Sequence, residues 1–186
     1  MAEFIIRTDM ELFLFLNSFH NSFFDMIMSV ISMKYVWLLL YAFVAFLIIR
    51  KYKLKTGLLL ILFFGLLIFL SDQTSVHFFK NVFQRLRPCY NPEIESLVHT
   101  VKMPGGKYGF VSSHATNAFA FAFLSLMLIK NKTYTTLIII WAIIVSYSRI
   151  YLGVHYPGDI LGGAALGLLI SLPLNIIIKN SVLKNR

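Results

Sequence analysis

Apolar positions in this chain fall into long runs rather than into the one-sided stripes of a helix with a wet face. Five runs stand out: "YVWLLLYAFVAFLII" (35–49), "GLLLILFFGLLIFL" (57–70), "ATNAFAFAFLSLMLI" (115–129), "TYTTLIIIWAIIVSY" (133–147) and "ILGGAALGLLISLPLNIII" (160–178). A helix that is hydrophobic all round belongs inside a core or a bilayer. Each run reaches the roughly 20 residues of a membrane span by borrowing flanking positions. The pattern predicts an all-α, polytopic membrane bundle of about five transmembrane helices in one domain covering residues 1–186. Residues 1–33 break the pattern, because Asn17, His20, Asn21 and Asp25 interrupt "ELFLFLNSFHNSFFDMIMSVISM" (11–33). They predict an amphipathic helix, or helix pair, lying in the membrane interface. A sixth span over residues 10–32 is the alternative.

Composition removes the soluble reading. With 58% hydrophobic residues, too little polar sequence remains to cover a water-exposed surface. The formal charge of +9 first suggests a nucleic-acid partner, until the cations are placed. Arg50, Lys51, Lys53 and Lys55 follow the first run, Lys130 and Lys132 follow the third, and Lys179, Lys184 and Arg186 follow the fifth. No acidic residue accompanies them. If each run spans, all three segments share one side, which the positive-inside rule makes cytoplasmic. The charge is therefore topology, and no nucleic-acid partner is expected. The N-terminal "MAEFIIRTDMELF" does not read as a signal peptide. The single cysteine, Cys89, excludes an internal disulfide and a cysteine metal cluster.

Counting crossings fixes the other side. The second helix continues past Asp72 through "QTSVHFFKNVFQ" and carries Lys80 to the outer interface. Residues 85–112, rich in proline and glycine, form an outer loop. The third run begins outside at Ser113 and His114, and the fourth ends there at Ser148 and Arg149. After a turn with Gly153, Pro157 and Gly158, the fifth begins near Asp159. Lys80, Arg87, His114, Arg149, His155 and Asp159 thus converge on one face from separate parts of the chain.

Three cations near a dry surface need an anion, since unpaired charge at membrane depth is costly. Asp159 is too little, with Asp72 one to two turns below. Arginine forks and a lysine suit phosphate oxygens, and a helix start around residues 112–114 adds backbone donors. His155 lies four residues before Asp159, so the carboxylate can hold one imidazole nitrogen protonated and leave the other as a nucleophile. His114 suits a general acid. Together these residues suit phosphoryl transfer, where catalysis is positioning plus charge stabilisation.

The segments "KNVFQRLRP" (80–88), "VSSHA" (111–115) and "SRIYLGVHYPGD" (148–159) resemble the three signature motifs of the type 2 phosphatidic acid phosphatase superfamily. That pattern is Lys-x6-Arg-Pro, Pro-Ser-Gly-His and Ser-Arg-x5-His-x3-Asp. The first and third segments match at every fixed position. In the second, Val111 replaces proline and Ser113 replaces glycine, while Ser112 and His114 are kept. The resemblance implies that His155 attacks phosphorus to form a phosphohistidine, that Asp159 orients it, and that His114 protonates the leaving group. Lys80, Arg87, Arg149, Ser112 and Ser113 bind the phosphate oxygens. It also implies a metal-free reaction without a cofactor, and the sequence offers no ligand cluster that suggests a metal.

The expected protein is a lipid phosphate phosphatase of a bacterial cytoplasmic membrane. Its site faces the periplasm or exterior, and membrane lipids and a lipid phosphate are its partners. Undecaprenyl diphosphate and phosphatidylglycerol phosphate fit as substrates, as does phosphatidic acid, and a lipid A phosphatase is an alternative. A vanadate-dependent haloperoxidase shares the residue set, but those enzymes are soluble. An anion channel or transporter is the reading of another class, against which the charges gather at one mouth instead of along a path. His20, His77, His99, Asp72, Lys102 and Lys107 are assigned to packing, local contacts or the surface, and the glycines at 158, 162, 163 and 167 to close helix packing.

Overall fold

The computed structural model describes residues 1–184, so Arg186 of the last basic segment lies outside the described residues. The chain folds as α1 (Ala2–Asn17), α2 (Ser22–Ile31), α3 (Leu38–Tyr52) and α4 (Leu54–Thr74). A wide π turn (Ser75–Lys80) and the short α5 (Asn81–Phe83) prolong α4 in one rod. Then come α6 (Ser113–Ile129), α7 (Lys132–Tyr151) and α8 (Pro157–Ile177). This is a polytopic helical bundle. Among the described residues, four helices are long and apolar enough to cross a membrane: Lys34–Tyr52, Leu54–Phe83, Lys132–Tyr151 and Pro157–Val182.

The remaining expected span, residues 115–129, is α6, and it is shorter, with 17 residues. At 1.5 Å per residue it measures about 25 Å. It stands at the centre of the bundle, packed against α8, α7 and α4. Its neighbours cover its sides, and its first turn starts among the residues of the polar site. Small residues make this possible: Ala115, Ala118, Ala120 and Ala122 are buried along α6. On the facing helix, a Cβ at Gly167 would meet Ala120 N at 2.7 Å. Such small-residue contacts are how helices approach closely where lipid removes the hydrophobic drive between them.

The N-terminal segment is a helix pair. Asn21 starts α2 by accepting a hydrogen bond from Phe24 N at 2.9 Å, and the chain turns over residues 18–21. A single span over residues 10–32, the six-span alternative, is therefore not formed. An asparagine N-cap outcompetes helix continuation there, because its side chain satisfies a backbone donor that the helix start leaves open. α1 lies across the ends of α7 and α8. Phe13 is fully buried edge-on to Tyr156 at 5.4 Å. The buried Asn17 amide donates to the carbonyls of His99, Ile150 and Tyr151. The opposite side of α1 exposes Phe4, Ile5, Leu12 and Phe15.

The two ends of the bundle differ in chemistry. At one end Lys51 Nζ donates to the carbonyls of Leu128 and Ile129, both at 2.8 Å, joining the basic last turn of α3 to the end of α6. The loop over residues 84–112 closes the other end.

Candidate active site

Arg87 is placed by the base of that loop. Leu86 and Tyr108 form an isolated antiparallel bridge. Beside it, Arg87 N donates to Lys107 O at 2.9 Å and Gly109 N to Arg85 O at 2.8 Å. This pairing turns Arg87 inward, where it is only 8% exposed. Its Nη1 donates to Val154 O at 3.1 Å and to His155 Nε2 at 2.9 Å. A guanidinium has only donors, so Nε2 accepts and carries the lone pair. The other ring nitrogen, Nδ1, lies 3.2 Å from Asp159 Oδ2 and bears the proton.

Asp159 is held from several sides. As the third residue of α8, its Oδ2 also accepts from Tyr156 N at 3.0 Å, closing the helix start. Its Oδ1 accepts from Arg85 Nη1 at 3.0 Å. The side chain is fully buried, so these bonds replace all of its hydration. Gly109 permits the approach of the loop, since a Cβ there would sit 2.9 Å from Asp159 Oδ2. Burial pulls His155 well below the usual histidine range, and Arg87, Arg149 and Lys80 pull it further in the same direction. His155 is a neutral imidazole at physiological pH.

Lys80 and Ser113 form the second cluster. Lys80 Nζ donates to Ser113 Oγ at 2.6 Å, and Ser75 Oγ lies 2.7 Å from the same oxygen. Ser75 and Lys80 are five residues apart, a spacing that an ordinary helix splays and that the i→i+5 geometry of the π turn brings to one face. Ser112 is buried, and its Oγ caps α6, accepting from Ala115 N. The backbone N–H of Ser112 donates to Asp159 O at 3.0 Å, locking the start of α6 onto α8. Arg149, at the end of α7, donates to Ser32 Oγ. His114 lies within electrostatic reach of Arg149, His155, Lys34 and Lys80.

His114 also lines a cavity of about 500 Å³. Ser32, Lys34 and Asn117 share its polar end, and the rest runs between α3, α4, α6 and α7 past Tyr41, Ile48 and Phe64. The cavity is mostly apolar, of a size that takes a small ligand or one hydrocarbon chain.

All eight residues expected from the sequence thus gather at the loop end of the bundle. The PAP2 superfamily model matches residues 56–182, which contain every one of them. This chain belongs to the PAP2 superfamily. Two curated relatives, the lipid A 4'-phosphatases of Bacteroides thetaiotaomicron and Porphyromonas gingivalis, are each 37% identical over 90% of the chain, covering 75% and 72% of those proteins. The fold is that of a phosphatidylglycerolphosphate phosphatase from Bacillus subtilis. There the TM-score is 0.68 at 22% identity, with 95% of this chain and 87% of that one covered.

Within this PAP2 site, the departure at Ser113 acquires a physical meaning, because its hydroxyl accepts from Lys80. Several contributors carry little or no sequence signal: Arg85, Asp9, Ser75, Ser32 and Gly109. A polar residue within a helical run marks Ser75 weakly, and nothing in spacing marks the others. His99 and His20 form a separate pair at the surface, their rings stacked at 3.8 Å, with His99 Nε2 at 2.8 Å from Asp25. Cys89 is buried beside Tyr151 and Val154, and burial pushes its thiol up, so it stays protonated at neutral pH.

Proposed function

We propose that this PAP2 protein is a lipid phosphate phosphatase that works through a phosphohistidine at His155. The observation that carries the reading is the buried imidazole held between Arg87 and Asp159, which fixes the tautomer and puts the basic lone pair on Nε2, where it accepts from Arg87 until a substrate phosphate draws the guanidinium to its own oxygens. In the reaction, Nε2 attacks phosphorus and the bond from phosphorus to the leaving oxygen breaks. His114 donates a proton to that oxygen, and the lipid departs. A water then attacks the phosphohistidine, His114 takes its proton, and phosphate leaves with His155 restored. Arg87, Arg149, Lys80 and the start of α6 stabilise charge on the phosphoryl oxygens. Asp159 stays paired with Nδ1–H throughout, as an orienting carboxylate does in related dyads.

The substrate class follows from the surroundings. The apolar cavity beside His114 offers a hydrocarbon chain a path away from the reacting phosphate. The lipid A 4'-phosphatase relatives favour a phosphorylated glycolipid, so this reading ranks ahead of undecaprenyl diphosphate and phosphatidylglycerol phosphate. The basic end carrying Lys51, Lys53 and Lys130 faces the cytoplasm by the positive-inside rule. The site then opens to the outer side of a bacterial cytoplasmic membrane.

A panel tests this. Detergent-solubilised protein is given lipid A phosphate, undecaprenyl diphosphate, phosphatidylglycerol phosphate and phosphatidic acid, with and without EDTA, and phosphate release is measured. Release that survives EDTA, with kcat/KM highest for the glycolipid phosphate, is the expected result. No release from any lipid overturns the phosphatase reading. Loss of release with EDTA overturns the metal-free mechanism.

A further inference from the structure

Asp9 on α1 and Arg85 on the loop hold no fixed motif position, and neither is bonded to a side chain proposed to bind phosphate. Their contacts form an unbroken chain to the nucleophile. Asp9 Oδ2 accepts from Arg85 Nη2 at 2.7 Å. Arg85 Nη1 donates to Asp159 Oδ1 at 3.0 Å. Asp159 Oδ2 then receives His155 Nδ1–H. The other oxygen of Asp9, Oδ1, accepts from Gly158 N at 2.8 Å, a first-turn donor of α8. The Arg85 guanidinium lies 4.0 Å over the ring of Tyr156, which leaves it little freedom to turn.

From this geometry we infer that Asp9 and Arg85 are positioning residues for catalysis, and that the first helix is a working part of the active site. A carboxylate that must orient an imidazole needs its own rotation fixed. Tyr156 N and His155 occupy Oδ2, so the torsion of Asp159 is set by what holds Oδ1. That holder is Arg85. Alone, a single arginine on a loop swings; gripped at its second nitrogen by Asp9 and laid flat on Tyr156, it cannot. Asp9 in turn is fixed to α8 through Gly158, so α1, the loop and α8 close one polar ring around Asp159. The side chains are 12%, 26% and 0% exposed for Asp9, Arg85 and Asp159, so water competes weakly for these bonds. Elsewhere on α1 the contrast is plain: Arg7 pairs with Glu11 in open solvent, with 79% and 65% of their side chains exposed.

This inference rests on the phosphatase reading, and the experiment separates the two. Kinetics of lipid phosphate hydrolysis are measured for the full-length wild type, Asp9→Asn, Asp9→Glu, Arg85→Gln, the Asp9→Asn/Arg85→Gln double variant and Arg7→Gln. All rates are normalised to folded protein. Outer-shell partners that orient a histidine through a carboxylate at metal sites are worth about 10- to 100-fold, and the same scale is expected for this carboxylate–imidazole pair. The expected result is a kcat lowered about tenfold or more in Asp9→Asn and Arg85→Gln, with KM within about twofold, because phosphate contacts remain. Asp9→Glu recovers most of the loss, the double variant falls no further than Arg85→Gln alone, and Arg7→Gln matches the wild type. Should Asp9→Asn fail to fold, Arg85→Lys carries the test. One ammonium cannot hold both carboxylates, so kcat falls while the folded fraction stays. Wild-type kcat in Asp9→Asn or Arg85→Lys overturns the inference and leaves the phosphatase reading standing, as do fully additive losses in the double variant. A wild type that releases no phosphate from any lipid overturns both.

Discussion

The Arg87 guanidinium donates to His155 Nε2 across 2.9 Å, and this bond does two jobs. It declares which imidazole nitrogen is basic, and it places a guanidinium beside the atom proposed to attack. The proposed nucleophile and anion anchor are thus joined by a single contact. The contact survives only if the ring is neutral, because an imidazolium has no acceptor to offer.

Neutrality is directly measurable. Burial, followed by the charges of Arg87, Arg149 and Lys80, holds His155 below the ordinary histidine value of about 6.5. In protein labelled with 15N-histidine, the resonances assigned by their loss in His155→Gln report a neutral, Nδ1-protonated ring at pH 6. The linkage sign follows. The unfolded chain takes up a proton below about pH 6.5 that the folded chain refuses, so this residue lowers stability as pH falls through that value and has no effect above it. The loss of Tm on acidification is accordingly smaller in His155→Gln than in the wild type. A His155 that titrates near 6.5 contradicts this assignment.

Ser113 gives a second test. Its hydroxyl accepts from Lys80 and neighbours Ser75, at a position where the family pattern has glycine. Removing it in Ser113→Ala frees the lysine to swing, at a cost of about 1 kcal/mol in transition-state binding, or roughly fivefold in kcat/KM. Steady-state kinetics check this. An unchanged kcat/KM contradicts a role for the hydroxyl in placing Lys80.

Asn17 tests the fold. Its amide donates to three carbonyls, and its Oδ1 accepts from His99 N at 2.8 Å, all in a site where the residue is 2% exposed. Asn17→Ala removes four hydrogen bonds to buried backbone groups, of which the Ile150 carbonyl still accepts from Gly153 N, and destabilises the protein by about 2–3 kcal/mol. Thermal unfolding in detergent shows this as a lowered Tm. Surviving molecules keep the wild-type KM, because no phosphate ligand moves.

Much of this site was legible before any coordinates. Crossing counts placed Lys80, Arg87, His114, Arg149, His155 and Asp159 on one face, because span length and the basic turns leave few topologies open. The break between α1 and α2 is also legible, since Asn17, His20, Asn21 and Asp25 interrupt the apolar run and predict a helix or helix pair there; that Asn21 caps the second helix is what the fold adds. Asp9 and Arg85 were invisible for a different reason. Their ion pair joins positions 76 residues apart, and only the folded path of α1 across α8 brings them together. The shortness of α6 was hidden likewise, since an apolar run has the same composition whether lipid or protein surrounds it. Ser113 stood out as a departure, yet its partner depends on the π turn, which no periodicity announced.

The central claim is that phosphorus passes through His155 Nε2. The direct measurement is to mix the protein with a 32P-labelled lipid phosphate, quench within the first turnover at alkaline pH, where phosphohistidine persists, and locate the label by peptide mapping. The account predicts label on His155, none in His155→Ala, and phosphate release in that variant reduced by at least about a thousandfold. Label on another residue, or release undiminished in His155→Ala, contradicts it.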